Sequence, residues 1–206
     1  MKAKKGILCV YCRYVKRFLD IFFSAVLILM LMPIMIIISI AIILESRGGA
    51  IFRQKRMGRN GKPFVCYKFR TMRADAPHSI PAKELDAESY VTRVGRFLRR
   101  SSLDELPQLF NVLLGDMSIV GPRPLISEEK EVHRMRELAG IYSLRPGLTG
   151  LAQVNGRNLL CDSEKIENDK IYLDNVRMLL DAKIIFMTFG CVVVGKGISN
   201  RNNLKK

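Results

Sequence analysis

The sequence predicts an α+β fold, mainly helical, with an N-terminal re-entrant membrane helix, amphipathic interfacial helices and one short β-hairpin. Three observations predict it. Ile21 to Leu44 holds no charged residue over 24 positions and carries Pro33 at its middle. Two short β-prone runs, Ile51 to Arg56 and Phe64 to Phe69, flank Gly58-Arg59-Asn60-Gly61, whose Asn-Gly pair favours a tight turn. Arg93 to Arg100 sets Val94, Phe97 and Leu98 against four arginines at helical spacing. The expected division is residues 1–47, a basic flank plus the membrane helix, and residues 48–206, a domain on the cytoplasmic face.

As a continuous helix the apolar run would reach about 36 Å at roughly 1.5 Å per residue, enough for a hydrocarbon core of about 30 Å. A cleaved signal peptide is disfavoured, because the run is far longer than an h-region and Glu45-Ser46-Arg47 offers no small-residue cleavage site. Pro33 lacks an N–H and pushes its predecessor from helical geometry, so the run is expected to bend into two arms, each too short to span. The flanks agree. Residues 1–20 hold six Lys or Arg against one acid, and residues 45–73 hold nine against one, the pattern expected when both ends stay cytoplasmic.

Residues 74–92, with Pro77, Pro81 and four acids, read as a surface excursion. The basic helix 93–100 suits an anionic membrane face and equally a solvated face over a core. Ala182 to Val194 is apolar but short and carries Lys183, so it reads as an interfacial or buried helix. The formal charge of +15 over 206 residues, with a pI near 9.9, points to anionic partners. Five scattered cysteines suit a reducing compartment, and Cys9-x-x-Cys12 lacks the second pair that a zinc site needs.

The chemistry concentrates after residue 100. Ser102 with Glu105 fits a capping box and Pro107 suits a helix start, so Asp104 and Glu105 are expected in a first helical turn. By themselves they read as acids that complement a helix dipole. Three blocks then each place an arginine beside Gly or Pro: Gly121-Pro122-Arg123-Pro124, Leu144-Arg145-Pro146-Gly147 and Asn155-Gly156-Arg157. Glycine and proline set the backbone, and a guanidinium offers a planar fork for phosphate oxygens.

With Tyr67-Lys68-Phe69-Arg70-Thr71-Met72, Ser102 to Gln108, and the Arg145-Pro146-Gly147-Leu148-Thr149-Gly150 and Gln153-Val154-Asn155-Gly156-Arg157 blocks, the chain resembles the bacterial sugar transferases, specifically the small monotopic phosphoglycosyl transferases, from about Lys16 to Ile185. The resemblance implies a two-step exchange. An aspartate takes a sugar phosphate from a UDP-sugar with release of UMP, and polyprenyl (undecaprenyl) phosphate then collects it, at the bacterial inner membrane. Asp104 matches the nucleophile and Glu105 the position associated with Mg²⁺. Arg123 and Arg145 match phosphate or nucleotide contacts, with Lys68, Arg157 and Asp169 as further substrate-binding members; from its position alone Lys68 reads equally as a solvated hairpin lysine. The family's re-entrant helix usually has Ser before the proline, where Met32 stands here.

The expected partners are UDP-sugar, polyprenyl phosphate and membrane lipid, without nucleic acid; a homodimer is left open. Two rival readings fit parts of the chain. Gly190 to Lys196 matches the opening of a P-loop, but Gly197 stands where Ser or Thr is needed. A basic membrane-anchored nucleic-acid binder would fit the charge but has no use for the Asp-Glu pair. No motif reads a sugar's hydroxyl pattern, so the sugar and its pathway stay open.

Overall fold

The computed structural model describes residues 11–76, 89–156 and 159–194. A π-helical turn, Tyr11–Val15, leads into α1, Lys16–Glu45. After it come β1, Ile51–Met57, and β2, Pro63–Phe69, then α2, Arg93–Ser101, and α3, Gln108–Leu114. β3, Ser118–Val120, α4, Lys130–Leu138, and β4, Gly147–Thr149, lead to three closing helices: α5, Leu151–Asn155, α6, Asp162–Asp174, and α7, Met178–Val194. The structure is mainly helical, as the sequence predicts. β1 and β2 form the expected antiparallel hairpin, with Met57 opposite Pro63 and Ile51 opposite Phe69. Its connection uses the Asn-Gly pair as anticipated, both residues in the left-handed region at φ 57° and 68°. A second, parallel pair, β3 with β4, was not foreseen, because three-residue strands carry no readable period.

α1 is long and apolar enough to cross a membrane by length and composition. It runs as one helix through Pro33. Ser24 and Ser39 spend their hydroxyls on carbonyls within their own halves, Ile21 O at 3.1 Å and Met35 O at 2.8 Å. One stripe, Asp20, Ser24, Ile28, Met35, Ile38 and Ile42, is buried against the rest of the chain. The opposite face leaves Phe22, Leu29, Met30, Ile37 and Leu44 exposed. Both ends are tied down. Near the start, Arg17 donates to the Val112 and Leu113 carbonyls at 2.6 and 3.0 Å, and Asp20 accepts from Ile119 N at 3.0 Å. At the finish, Arg70 donates to the Ser46 and Arg47 carbonyls at 2.7 and 2.8 Å, while the Glu45 carboxylate accepts from Arg93 N at 2.7 Å.

α2 forms as predicted, with Thr92 as N-cap accepting from Gly95 N. Leu98 is buried and Val94 packs beside it, but Phe97 does not join them; it is 62% exposed among the arginines. α7 buries Asp181 and Ile184 and exposes Phe186 and Phe189. Gly190 to Val194 are helical, so the stretch that matches a P-loop opening forms no loop there. Cys9, most of the 74–92 excursion, and Arg157 lie outside the described residues.

Candidate active site

The capping box expected at Ser102 does not form. Ser102 is left-handed, φ 58° and ψ 16°; it closes α2 and leads into a short 3₁₀ turn without a side-chain cap bond. Leu103–Glu105 is a 3₁₀ turn, and α3 begins only at Gln108, after Pro107. Packing explains the difference. In a 3₁₀ turn side chains three apart eclipse, so Leu103 and Leu106 face the same way. Both pack on the cluster of Met35, Ile38 and Ile42 from α1 with Phe69 and Leu98. That apolar demand outweighs a cap worth about 1 kcal/mol, and it leaves Asp104 and Glu105 between the two leucines, half-buried.

The hairpin supplies the facing cation. Lys68 and Phe69 point to opposite faces of β2, so Phe69 enters the α1 cluster while Lys68 turns to the carboxylates. Asn111 fastens α3 to the same strand: its Nδ2 donates to Val65 O at 2.7 Å and its Oδ1 accepts from Tyr67 N at 3.0 Å. Lys68 Nζ donates to Glu105 Oε1 at 2.8 Å, and Arg123 Nη2 reaches the same oxygen at 3.1 Å. Arg123 rides on the loop that follows β3, where Gly121 N donates to Thr149 O at 2.8 Å. Gly147 is required there, because a Cβ on it would sit 2.1 Å from Gly121 N.

A small cleft opens beside these groups, lined by Arg56, Cys66, Lys68, Glu105, Gln108, Arg123 and Pro124. Burial, and then the neighbouring Glu105 carboxylate, raise the Asp104 carboxyl above its ordinary value, against Lys68, Arg123 and Arg99. Glu105 in turn holds the Arg123 guanidinium more firmly protonated. A more basic carboxylate is a stronger nucleophile once ionised.

The structure thus gathers Lys68, Asp104, Glu105 and Arg123. Arg145 does not line the cleft; its Nε donates to Gly115 O at 2.9 Å, near Arg59 and Arg17. Asp169 is 1% exposed and pairs with buried Arg136 at 2.7 Å. Burial raises its carboxyl to about 6 despite that guanidinium. Four lining residues, Arg56, Cys66, Gln108 and Pro124, were not among the expected site residues. Gln108 and Pro124 stand inside motif blocks without a chemical role of their own, and Cys66 is a buried apolar filler. Arg56 had a signal: with Phe52 and Gln54 it occupies the inward face of β1, where polar side chains break the apolar alternation of an ordinary half-buried strand.

An adjacent carboxylate pair beside a cation-lined cleft, braced by an apolar helix, suits chemistry on an anionic substrate. The chain belongs to the bacterial sugar transferase family, whose pattern matches residues 11–195. It is 40% identical over 190 residues to a Bacillus subtilis protein named as an uncharacterized sugar transferase, EpsL, covering 92% of each chain. It is 41% identical over 196 residues to a Klebsiella pneumoniae UDP-glucose:undecaprenyl-phosphate glucose-1-phosphate transferase, covering 91% of this chain and 41% of that one. A Salmonella typhimurium undecaprenyl-phosphate galactose phosphotransferase is 40% identical over 194 residues, with 85% and 40% covered. The chain therefore spans nearly the whole Bacillus protein and about two fifths of the other two.

Proposed function

We propose that the chain transfers a sugar 1-phosphate from a UDP-sugar to undecaprenyl phosphate, through a phosphosugar-aspartate on Asp104, at the cytoplasmic face of a bacterial inner membrane. The observation that carries it is the carboxylate pair at one turn, Glu105 held between Lys68 and Arg123 and Asp104 made more basic beside it. In the first step an Asp104 carboxylate oxygen attacks the phosphorus that bears the sugar. A bond to phosphorus forms there, the bond to the bridging oxygen breaks, and UMP leaves with the electron pair. In the second, an oxygen of the lipid phosphate attacks the same phosphorus and frees the carboxylate. Lys68 and Arg123 bring positive charge to the cleft that receives a diphosphate.

Glu105 fits Mg²⁺ as a hard oxygen donor. Among the described residues no cluster of three or more metal-ligating side chains exists, and Mg²⁺ ordinarily completes its shell with substrate phosphates and water. Bound there, the ion would offset charge on the diphosphate.

The re-entrant topology belongs to the same proposal. A crossing helix would place its two ends on opposite sides of the bilayer. Here both ends of α1 are bonded to one folded unit, and its outward face is apolar throughout. The exposed Phe97, Phe186 and Phe189 suit helices lying at the lipid interface.

The test is UMP release from a panel of UDP-sugars by membranes containing the protein, with Mg²⁺ and undecaprenyl phosphate. Asp104→Asn should abolish turnover and Glu105→Gln should lower it severely. Mass spectrometry of intact protein should trap a phosphosugar on the wild type. Ordinary turnover by Asp104→Asn would refute the covalent route.

A further inference from the structure

The loop that presents Arg123 is gripped by two guanidiniums from separate elements. Arg136 on α4, 4% exposed, donates from Nη1 to the Arg123 carbonyl at 2.7 Å and from Nη2 to Asp169 Oδ2 at 2.7 Å. Arg56 near the end of β1 donates from Nη1 to the next carbonyl, that of Pro124, at 3.0 Å, and from Nη2 to Gln54 Oε1 at 2.6 Å. Consecutive peptide units are therefore held from two sides, directly beside the side chain that touches Glu105.

We propose that Arg56 and Arg136 are positioning residues that hold the Arg123 guanidinium against Glu105, with Asp169 acting through Arg136. The proposal rests on the reading of the Glu105 cleft as the reaction site. Three observations support it. A buried ion pair such as Arg136–Asp169 is a weak source of net stability, whereas a planar fork fixes two partners at a set angle. The Arg123 side chain is itself 45% exposed, so little beyond its own backbone and Glu105 determines where it sits. Finally, Asp169 is too deeply buried to line the cleft, and its reach toward the reacting groups runs through Arg136 to the Arg123 carbonyl.

The experiment uses the full chain in native-like membranes. Arg136→Lys, Arg56→Lys and Asp169→Asn are each made alone and together with Arg123→Lys, with exposed Arg134→Lys as control. Each of the three should lower kcat for UMP release on the order of tenfold, with KM for the UDP-sugar moving less than about threefold. In the Arg123→Lys background the same changes should cost less than about twofold, since they act through a group already lost. Equal losses in both backgrounds would reduce the pair to general structure and overturn the proposal. A raised KM with unchanged kcat for Arg56→Lys would make Arg56 a substrate contact and overturn its positioning role.

Hydrogen exchange supplies a readout that needs no turnover: peptides covering residues 121–125 should exchange faster in Arg136→Lys than in the wild type. Unchanged exchange refutes the clamp whatever the reaction, whereas a wild type that releases no UMP from any UDP-sugar refutes the functional reading and leaves the clamp to the exchange result. Should Arg136→Lys fail to fold, Asp169→Asn, which keeps the Arg136 guanidinium but weakens the carboxylate partner that orients it toward the Arg123 carbonyl, carries both comparisons.

Discussion

Gly147→Ala should disable the enzyme without touching a group that meets substrate. Gly147 opens β4, and its Cβ position lies 2.1 Å from Gly121 N, 2.4 Å from Thr149 O and 2.6 Å from Gly121 Cα. All three are backbone atoms, so no side chain can swing aside. Restoring the 2.1 Å approach to the 3.4 Å of ordinary contact requires a displacement of about 1.3 Å. The segment that must yield continues directly into Pro122 and Arg123, and the Arg123 to Glu105 contact of 3.1 Å has no margin for such a move. A misplacement of about 1 Å at a reacting centre costs roughly a hundredfold in rate, or about 2.7 kcal/mol. The assay is kcat for UMP release, with thermal unfolding of the same sample to show that the protein remains folded. Gly49→Ala is the control, since a Cβ there meets nothing within 4 Å. A folded Gly147→Ala protein that keeps activity within about threefold of the wild type would refute the claim that loop placement governs turnover.

Arg123→Lys should lose roughly 10- to 100-fold in turnover although its charge is kept, because an ammonium does not reproduce the fork; Arg93→Lys should be mild, and equal losses at both would indicate generic attraction. Asp169, raised from 3.8 to about 6, binds its proton more tightly folded than unfolded, so its contribution to stability is greatest below about 3.8 and falls, by at most about 3 kcal/mol, as pH rises through about 6. Wild-type stability measured against Asp169→Asn should therefore decline from pH 4 to pH 7, and a constant difference would contradict the buried-carboxyl account. A cysteine introduced at residue 3, in a background without native cysteines, should resist labelling from outside intact cells; strong labelling would establish a crossing helix and sink the re-entrant proposal.

The apolar run, the hairpin and the basic helix were legible because each is a local pattern. An uncharged stretch, an Asn-Gly turn and a helical period act over a few residues, and packing had no reason to override them. Three motif blocks, those holding Lys68, Asp104-Glu105 and Arg123, also pointed to stretches that meet at the cleft, and Lys68, Glu105 and Arg123 line it as expected. The block holding Arg145 does not reach it.

Ser102 shows why. Locally it fits an N-cap, yet Leu103 and Leu106 gain more by packing together on α1, 60 or more residues earlier in the chain, than a cap would return. Asp169 and Arg145 carry charges suited to phosphate, but one is sealed under α4 and α6 with Arg136 and the other is spent on the Gly115 carbonyl. Arg56 and Arg136 lie outside the motif blocks and meet the Arg123 loop only because β1 and α4 converge on it. The sequence by itself determined the long apolar helix, the main local elements and the carboxylate pair, since short-range sterics and hydrophobic period suffice for those. Only the tertiary structure decided which cations stand beside that pair, because contacts between distant segments are set by how their apolar faces pack, and no local pattern encodes that geometry.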